Sequence, residues 1–215
     1  MKNIAALLIF VLCFAGITRA DDSKYIEAMK KNIAMMDSLS SLEKMVDLTN
    51  SFLRIANAEK DKWLPYYYAS YIYVLSSFTD TVKSKKDSYL DEADKAIGIA
   101  DSLQPNESEI YVIKGLIGEA RLQVDPMNRY MKYLEKAMGA IKKAIVLDPK
   151  NPRPEYLMGM STYYTPEQFG GGAKAAKILF DNSFKKFNEF VPKNELMPQW
   201  GKKQLEAFIK QTSLQ

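Results

Sequence analysis

The sequence contains no histidine, and its only cysteine among 215 residues is Cys13. Without histidine, Ser-His-Asp and Cys-His catalysis are excluded, as is every zinc site that needs an imidazole ligand. The regular D-x-D-x-D-G pattern of a calcium loop is also missing. We therefore expect no metal site, no cofactor and no enzymatic activity.

One kind of catalysis survives these absences, because paired carboxylates can act as general acid and base. Glu107 with Glu109 and the acidic residues of 91–94 are the candidates. At helix ends, however, such carboxylates more often interact with the helix dipole and with nearby lysines. An enzyme that uses carboxylates and tyrosine is thus a third interpretation, behind two kinds of binding protein.

Neither sign of charge dominates the chain. It has 30 basic and 26 acidic residues, and removal of residues 1–20, with Lys2 and Arg19, leaves 28 − 26 = +2. The charges are interleaved, which is typical of solvated helix faces and not of a nucleic-acid-binding surface. After Asp21 no stretch approaches the ~18 apolar residues that a membrane span needs. We expect no nucleic-acid partner and no membrane span.

The first 20 residues are typical of a cleavable export signal. Lys2 supplies the charged start, residues 4–14 form a short apolar run, and Thr18, Arg19 and Ala20 form a cleavage site. Cleavage removes the only cysteine, and an exported chain without cysteine favours a bacterial periplasm, with secretion as the alternative. Residues 21–215 are expected to form one domain.

Two stretches of the chain repeat each other at a distance of 44 residues. Each has the spacing A-x3-I-x2-A-x4-P, followed ten residues later by a glycine: Ala93, Ile97, Ala100, Pro105 and Gly115, then Ala137, Ile141, Ala144, Pro149 and Gly159. Small residues at these intervals let two helices cross closely, and the proline ends the pair. The pattern predicts stacked helix hairpins.

This pattern resembles the tetratricopeptide repeat (TPR) family, in which Tyr111 and Gly115 match the first helix (helix A) of a unit. Weaker copies of the second helix (helix B) end at Ser183 and Ala56. The 44-residue period exceeds the typical 34 or so, and 121–130 is where the extra residues fit. The resemblance implies an all-α, right-handed solenoid of about four hairpins and a C-terminal capping helix.

The residues divide into these hairpins at predictable places. The predicted helix pairs are 25–38 with 42–56, 63–75 with 89–103, 106–120 with 130–147, and 154–165 with 173–187, followed by a capping helix at 199–211. The extra residues belong to the third of these pairs. The whole mature chain is thereby assigned to the repeat domain.

The stretch from Pro166 to Ala173, with three consecutive glycines, carries a second likeness. It is similar to the turn before helix B in periplasmic TPR proteins associated with TRAP transporters. That likeness implies a transport-associated carrier of a small ligand. The glycines could instead form a phosphate cradle near Lys174, but a turn between two helices is the favoured interpretation.

The family register implies that helix A of each unit lines the concave face of the solenoid. The lining would be Tyr68, Ile72, Val112, Leu116, Glu119, Arg153, Tyr156, Met160, Tyr163 and Tyr164. An aromatic, apolar groove favours a peptide or an apolar small molecule, and Arg153 could bind a carboxylate. The alternative is that these tyrosines pack against neighbouring helices.

We therefore expect a non-catalytic periplasmic binding or scaffold protein, which engages a protein or peptide through the concave helix-A face. The alternative is a protein that binds a small apolar ligand, or serves a transporter, through a tyrosine-lined pocket. The sequence leaves the oligomeric state open, since the phenylalanine-rich segment 180–190 could either pair two copies or lie under the last helix.

Overall fold

The computed structural model describes residues 22–212, and every regular element in that range is helical. The helices are α1 (22–35), α2 (Leu42–Ala58), α3 (Leu64–Thr79), α4 (Lys83–Leu103), α5 (Ser108–Val124), α6 (Pro126–Leu147), α7 (Arg153–Tyr164), α8 (Ala173–Glu189) and α9 (Lys202–Thr212). Two short 3-10 helices cover Met36–Ser38 and Glu167–Phe169. The export signal predicted for residues 1–20 lies outside the described residues.

Consecutive helices pack against each other along the chain, and α3, α5 and α7 also contact one another in that order. This is the arrangement expected of stacked hairpins, in which each helix A lies beside the next. The all-helical, sequential fold predicted from the repeat pattern is therefore confirmed. No helix within 22–212 combines the length and the apolar character needed to cross a bilayer.

The small residues of the repeat explain how closely the helices approach. Ala137, Ile141 and Ala144 of α6 are fully buried, and Gly115 of α5 faces them. A Cβ atom on Gly115 would lie 2.6 Å from Cγ1 of Ile141, which is too close for two carbon atoms. Glycine therefore sets the distance between α5 and α6, and interhelical distance depends on the side chains at the contact.

The extra residues of the third hairpin form helix and not a loop. Helix α5 continues to Val124 and α6 begins at Pro126, so that only Asp125 separates them. Proline is compatible with this position because the first turn of a helix leaves its N–H groups without intrahelical partners. The insertion thus lengthens both helices. The predicted end of α5 at residue 120 was four residues too early, and the predicted start of α6 at residue 130 was four residues too late.

The last helix covers the last hairpin, as the sequence predicted. Leu205 of α9 is fully buried, and the Phe208 ring lies 5.3 Å from the Phe180 ring of α8. Between α8 and α9 the chain is non-helical, and residues 193–200 cross the face formed by α3, α5 and α7. We call residues 193–200 the strap, and the side of α3, α5 and α7 beneath it the helix-A face.

Candidate functional site

The strap is bound to the helix-A face much as a peptide would be bound. The Tyr68 hydroxyl donates a hydrogen bond to the Leu196 carbonyl at 2.8 Å. The Trp200 ring stacks on the Tyr71 ring at a centroid distance of 4.6 Å, and its indole N–H donates to the Tyr67 hydroxyl at 2.9 Å. The chain therefore fills the face that the sequence predicted for a partner.

A buried ion pair lies at the centre of this contact. Arg153 is completely buried, and its guanidinium donates to the Glu109 carboxylate at 2.9 Å and to the Pro198 carbonyl at 2.6 Å. The rings of Phe190 and Trp200 lie 5.0 and 5.2 Å from the guanidinium carbon. Because buried charges need several partners to offset their desolvation, the strap completes the environment of Arg153.

Further polar groups bind Glu109 and extend the hydrogen-bond network of this ion pair. Its carboxylate also accepts hydrogen bonds from the Asn151 amide at 2.9 Å and from the Tyr67 hydroxyl at 3.3 Å. Burial raises the pKa of the Glu109 carboxyl, and the neighbouring Arg153 opposes that rise. With three donors bound to one carboxylate that is 3% exposed, this glutamate is built into the fold and is not presented to solvent.

The tyrosines under the strap are protonated donors at neutral pH. Burial raises the pKa of Tyr67, Tyr68 and Tyr71 well above the ordinary value for a phenol. Burial also raises the pKa of Tyr156 to about 12. These side chains supply hydrogen bonds and ring contacts, and they are poorly suited to act as bases.

The ten residues predicted to line a groove fall into two groups. Five are buried: Tyr68, Ile72, Val112, Leu116 and Arg153. Five are half-buried or exposed: Glu119, Tyr156, Met160, Tyr163 and Tyr164. The strap contacts Tyr68 and Arg153 of the first group directly, so these residues do not line an open groove in this structure. Their assignment to a partner site stays a prediction.

Two residues of the second group, Tyr163 and Tyr164, lie close to α9. The Tyr163 ring meets the Phe208 ring edge to face at 5.0 Å, and Tyr164 is 69% exposed. Burial raises the pKa of the Glu119 carboxyl, against a hydrogen bond from Ser161. Tyr163 and Tyr164 therefore pack at the capping helix, whereas Tyr156 also packs against the main core that contains Tyr68.

The glycine turn before α8 uses its own backbone donors. The amides of Gly170, Gly171 and Gly172 donate to the carbonyls of Glu167, Pro166 and Thr162 at 2.9, 3.3 and 3.0 Å. A phosphate cradle needs such N–H groups pointing outward. The turn interpretation is therefore confirmed, and the alternative of a phosphate site at these glycines is wrong.

An open cleft of about 670 Å³ separates parts of α1 and α2. Its buried lining includes Tyr25 and Leu48. The Asn32 amide donates to the Ser51 hydroxyl at 3.0 Å, which joins the two helices across the cleft. Sequence reasoning did not identify this cleft, because no repeat motif marks the first hairpin strongly.

The edge of the cleft carries more positive than negative charge. Lys24, Lys31 and Arg54 line it together with Asp47 and Glu59. Within residues 22–212 none of the three basic side chains makes an ion pair. Unpaired cations beside an apolar floor favour an anionic, largely apolar ligand.

Burial raises the pKa of Tyr25, and the nearby carboxylates of Glu59, Asp61 and Asp22 raise it further. This tyrosine is therefore a neutral phenol whose ring forms part of the apolar lining. Met35, which is 46% exposed, supplies a thioether at the same cleft.

Comparison with solved structures shows a likeness over most of the chain. The chain is similar to the solved structure of the HusA haemophore from Porphyromonas gingivalis, with a TM-score of 0.78 and 29% sequence identity. The alignment covers 87% of this chain and 92% of that chain. No family model and no curated protein matches the chain. The likeness is to a binding protein and not to an enzyme.

Proposed function

We propose that this protein binds a planar, largely apolar small molecule that carries carboxylates, with haem as the first candidate, in the cleft between α1 and α2. The observation that carries the proposal is the combination of an apolar floor with three unpaired cations at one opening. A tetrapyrrole matches both features, because its ring is flat and apolar and its propionate groups are anionic.

The dimensions of the cleft are consistent with such a ligand. Small-molecule sites commonly enclose about 300–1,000 Å³, and 670 Å³ falls within that range. The ring would lie over the cleft lining that includes Leu48 and Tyr25, while the propionates would pair with the basic side chains. Lys31 and Arg54 lie on different helices, so together they could hold carboxylates from both sides of the opening.

The likeness to a haemophore supports the same conclusion from another direction. At 29% identity over most of both chains, the resemblance extends beyond the arrangement of helices. A haemophore carries haem, and an exported carrier fits the signal predicted for residues 1–20. We propose on this basis an extracytoplasmic carrier, in the periplasm or outside the cell.

The chemistry of the cleft favours recognition of the ring and its carboxylates over recognition of iron. Haem iron in proteins is held by histidine, cysteinate, methionine or tyrosinate. The described chain offers neither histidine nor cysteine, and Tyr25 holds its proton tightly. Met35 is the remaining candidate, and its thioether is a weak ligand. We expect metal-free protoporphyrin to bind nearly as well as haem.

The direct test is a titration of the mature protein with haem, followed by its absorbance spectrum, and with protoporphyrin, followed by its fluorescence. Lys31→Glu with Arg54→Glu reverses two of the three charges and should weaken both ligands by at least about tenfold, as expected when charge-assisted hydrogen bonds are lost. Lys142→Glu, at an exposed site on α6, is the matched control.

A second variant tests the position of the ring. Ala28 lines the cleft from α1, and Ala28→Trp would fill part of its volume without changing charge. Loss of haem binding in both cleft variants, with the control unaffected, supports the proposal. Haem binding that is equal in all four proteins would place the ligand elsewhere and overturn the assignment of this cleft.

We also propose that the chain is a TPR-like repeat protein, in keeping with the family resemblance of its sequence. The support is the burial of the repeated small residues, since Ala93 and Ala100 in α4 and Ala176 in α8 are fully buried like their counterparts in α6. Replacing any of them by leucine should destabilise the fold, whereas leucine at the exposed Ala207 should not.

A further inference from the structure

We propose that the helix-A face is a peptide-binding site that the strap occupies in cis, and that a partner segment of the same chemistry can replace the strap. The recognised pattern is two apolar residues, a proline and, after one further residue, a tryptophan, as in Leu196, Met197, Pro198 and Trp200. This site is separate from the α1–α2 cleft and does not depend on its ligand.

The first argument is the way in which the strap is held. It forms no regular helix or strand, and side chains of the helices bind its backbone carbonyls. Tyr68 binds the Leu196 carbonyl and Arg153 binds the Pro198 carbonyl. Within the strap, the Met197 amide donates to the Asn194 carbonyl at 3.2 Å and closes a turn. Side-chain contacts to the backbone of such a segment suit a peptide ligand, because they tolerate changes in the side chains of that ligand.

The second argument is that the strap has anchors of the kind found in interfaces. Leu196 and Met197 are each 6% exposed and join the main core. Trp200 lies between the Tyr71 ring and the Arg153 guanidinium. Tryptophan and arginine are enriched among the residues that dominate binding energies, and here both lie at one end of the segment.

The third argument is an unused donor inside the site. The Nε of Arg153 is buried without a hydrogen-bond partner, although the other nitrogens of the guanidinium are bound. An unsatisfied buried donor costs free energy, and a ligand that supplied one more acceptor would recover it. The strap therefore fits this face without exhausting its hydrogen-bonding capacity.

The N-terminal part of the strap is held less firmly than its anchors. Val191 is 83% exposed before it, and the ion pair between Lys30 and Glu195 joins side chains that are 49% and 57% exposed. Exposed ion pairs contribute little to stability. The contact of α9 with α8 through Phe208 and Phe180 does not involve the strap, so displacement of the strap would leave that contact in place.

Tethering gives the strap an advantage over any partner. A segment joined to its site by a short linker acts at an effective concentration of about millimolar. A free peptide of equal affinity therefore competes poorly with the intact protein. Weakening one anchor of the strap should allow the peptide to bind, and this gain distinguishes a peptide site from ordinary core packing.

The test measures the fluorescence polarisation of a labelled peptide with the sequence of residues 193–201, mixed with the full mature chain. Trp200→Ala removes an anchor from the strap but leaves the helix-A face unchanged. We expect the peptide to bind this variant at least about tenfold more tightly than the wild type, because the tethered competitor is weakened. The control peptide has its own tryptophan replaced by alanine and should bind neither protein.

A second variant keeps every anchor and lengthens the tether instead. A Gly-Ser insertion between Val191 and Pro192 lowers the effective concentration of the strap and should also strengthen peptide binding. Adding Tyr68→Phe to either variant should weaken the gain, since the hydrogen bond to the peptide carbonyl is lost. If both variants are folded by circular dichroism and neither binds the peptide better than the wild type, the proposal is overturned.

Discussion

The helix-A face and the α1–α2 cleft carry similar side chains, yet one is closed and the other is open. Under the strap, Arg153 is fully buried and its charge is matched by Glu109. At the cleft, Lys31 and Arg54 are exposed and unpaired within the described chain. The comparison shows that coverage by the chain itself decides whether charged and aromatic residues form core or a binding surface.

The position of each region along the chain explains the difference. Helices α3, α5 and α7 are flanked by further hairpins, and the segment after α8 returns across them. The first hairpin has α3 on one side, and its ion pairs with the C-terminal segment are exposed: Lys30 pairs with Glu195 of the strap, and Asp37, which follows α1, pairs with Lys203 of α9. No residue of the strap lines the cleft.

The largest loss of stability is expected at high pH, where ionisation of the buried tyrosines of the helix-A face favours the unfolded chain. Their pKa values in the folded protein are raised above about 10, the value of the unfolded chain. The unfolded chain therefore loses these protons first, and stability is full below pH ~10 and falls as pH rises above it.

The measurement is phenolate absorbance alongside circular dichroism during an alkaline titration. We expect the buried phenols to ionise in one step with the loss of helix. Tyr71→Phe removes one of the protons and should make the fall in stability with pH less steep. Ionisation of all tyrosines while the helical signal is unchanged would show that the face is open to solvent.

The next largest effect should come from Arg153→Met, which leaves the Glu109 carboxylate buried beside an apolar side chain. Breaking one partner of a buried pair costs about 3–5 kcal/mol. The free energy of unfolding in urea measures this loss. Arg54→Met at the exposed cleft is the matched control and should change stability by less than about 0.5 kcal/mol. Equal losses at both sites would contradict the contrast between them.

The buried pair also shows what the sequence contained and what it concealed. Glu109 and Arg153 are separated by 44 residues, which is one repeat period, so they occupy the same position in successive units. Opposite charges at equivalent positions of adjacent helices could have been predicted to pair. Sequence analysis instead assigned Arg153 to a partner, because the repeat register places helix A on an open face.

The fold itself was largely predictable because small residues recur at fixed intervals. Four hairpins and the capping helix lie close to their predicted positions, and the largest error is the start of α4, which was predicted at residue 89 and lies at Lys83. The strap was not predictable in the same way, since residues 193–200 have no periodic pattern and their role depends on a fold formed elsewhere. Trp200 was the one available signal, as a large aromatic residue between two helices.

A moderate loss of stability is expected from an added methyl group at the close contact between α7 and α8. A Cβ atom on Gly159 of α7 would lie 2.5 Å from the Phe180 ring, so Gly159→Ala forces α7 and α8 apart. Overpacking of this kind costs about 1–3 kcal/mol.

The control for this prediction is Gly139→Ala, where nothing lies within 4 Å of the added atom. There alanine should stabilise α6 by roughly 0.5–1 kcal/mol, because it loses less backbone entropy than glycine on folding. Thermal unfolding of the two variants gives opposite signs if the close approach of α7 and α8 is real. A loss of stability in both would mean that glycine is needed for some other reason.

The smallest effect is expected at Lys30, where α1 meets the strap. Its amine lies 2.6 Å from the Glu195 carboxylate, but both side chains are about half exposed. Lys30→Ala should therefore lower the free energy of unfolding by no more than about 1 kcal/mol, and haem affinity should stay within about threefold of the wild type. Lys203→Ala breaks the exposed pair between α9 and Asp37, which follows α1, and should behave alike. A large change in haem affinity in either variant would show that the C-terminal segment controls the width of the cleft, so that the covered face and the open cleft are coupled.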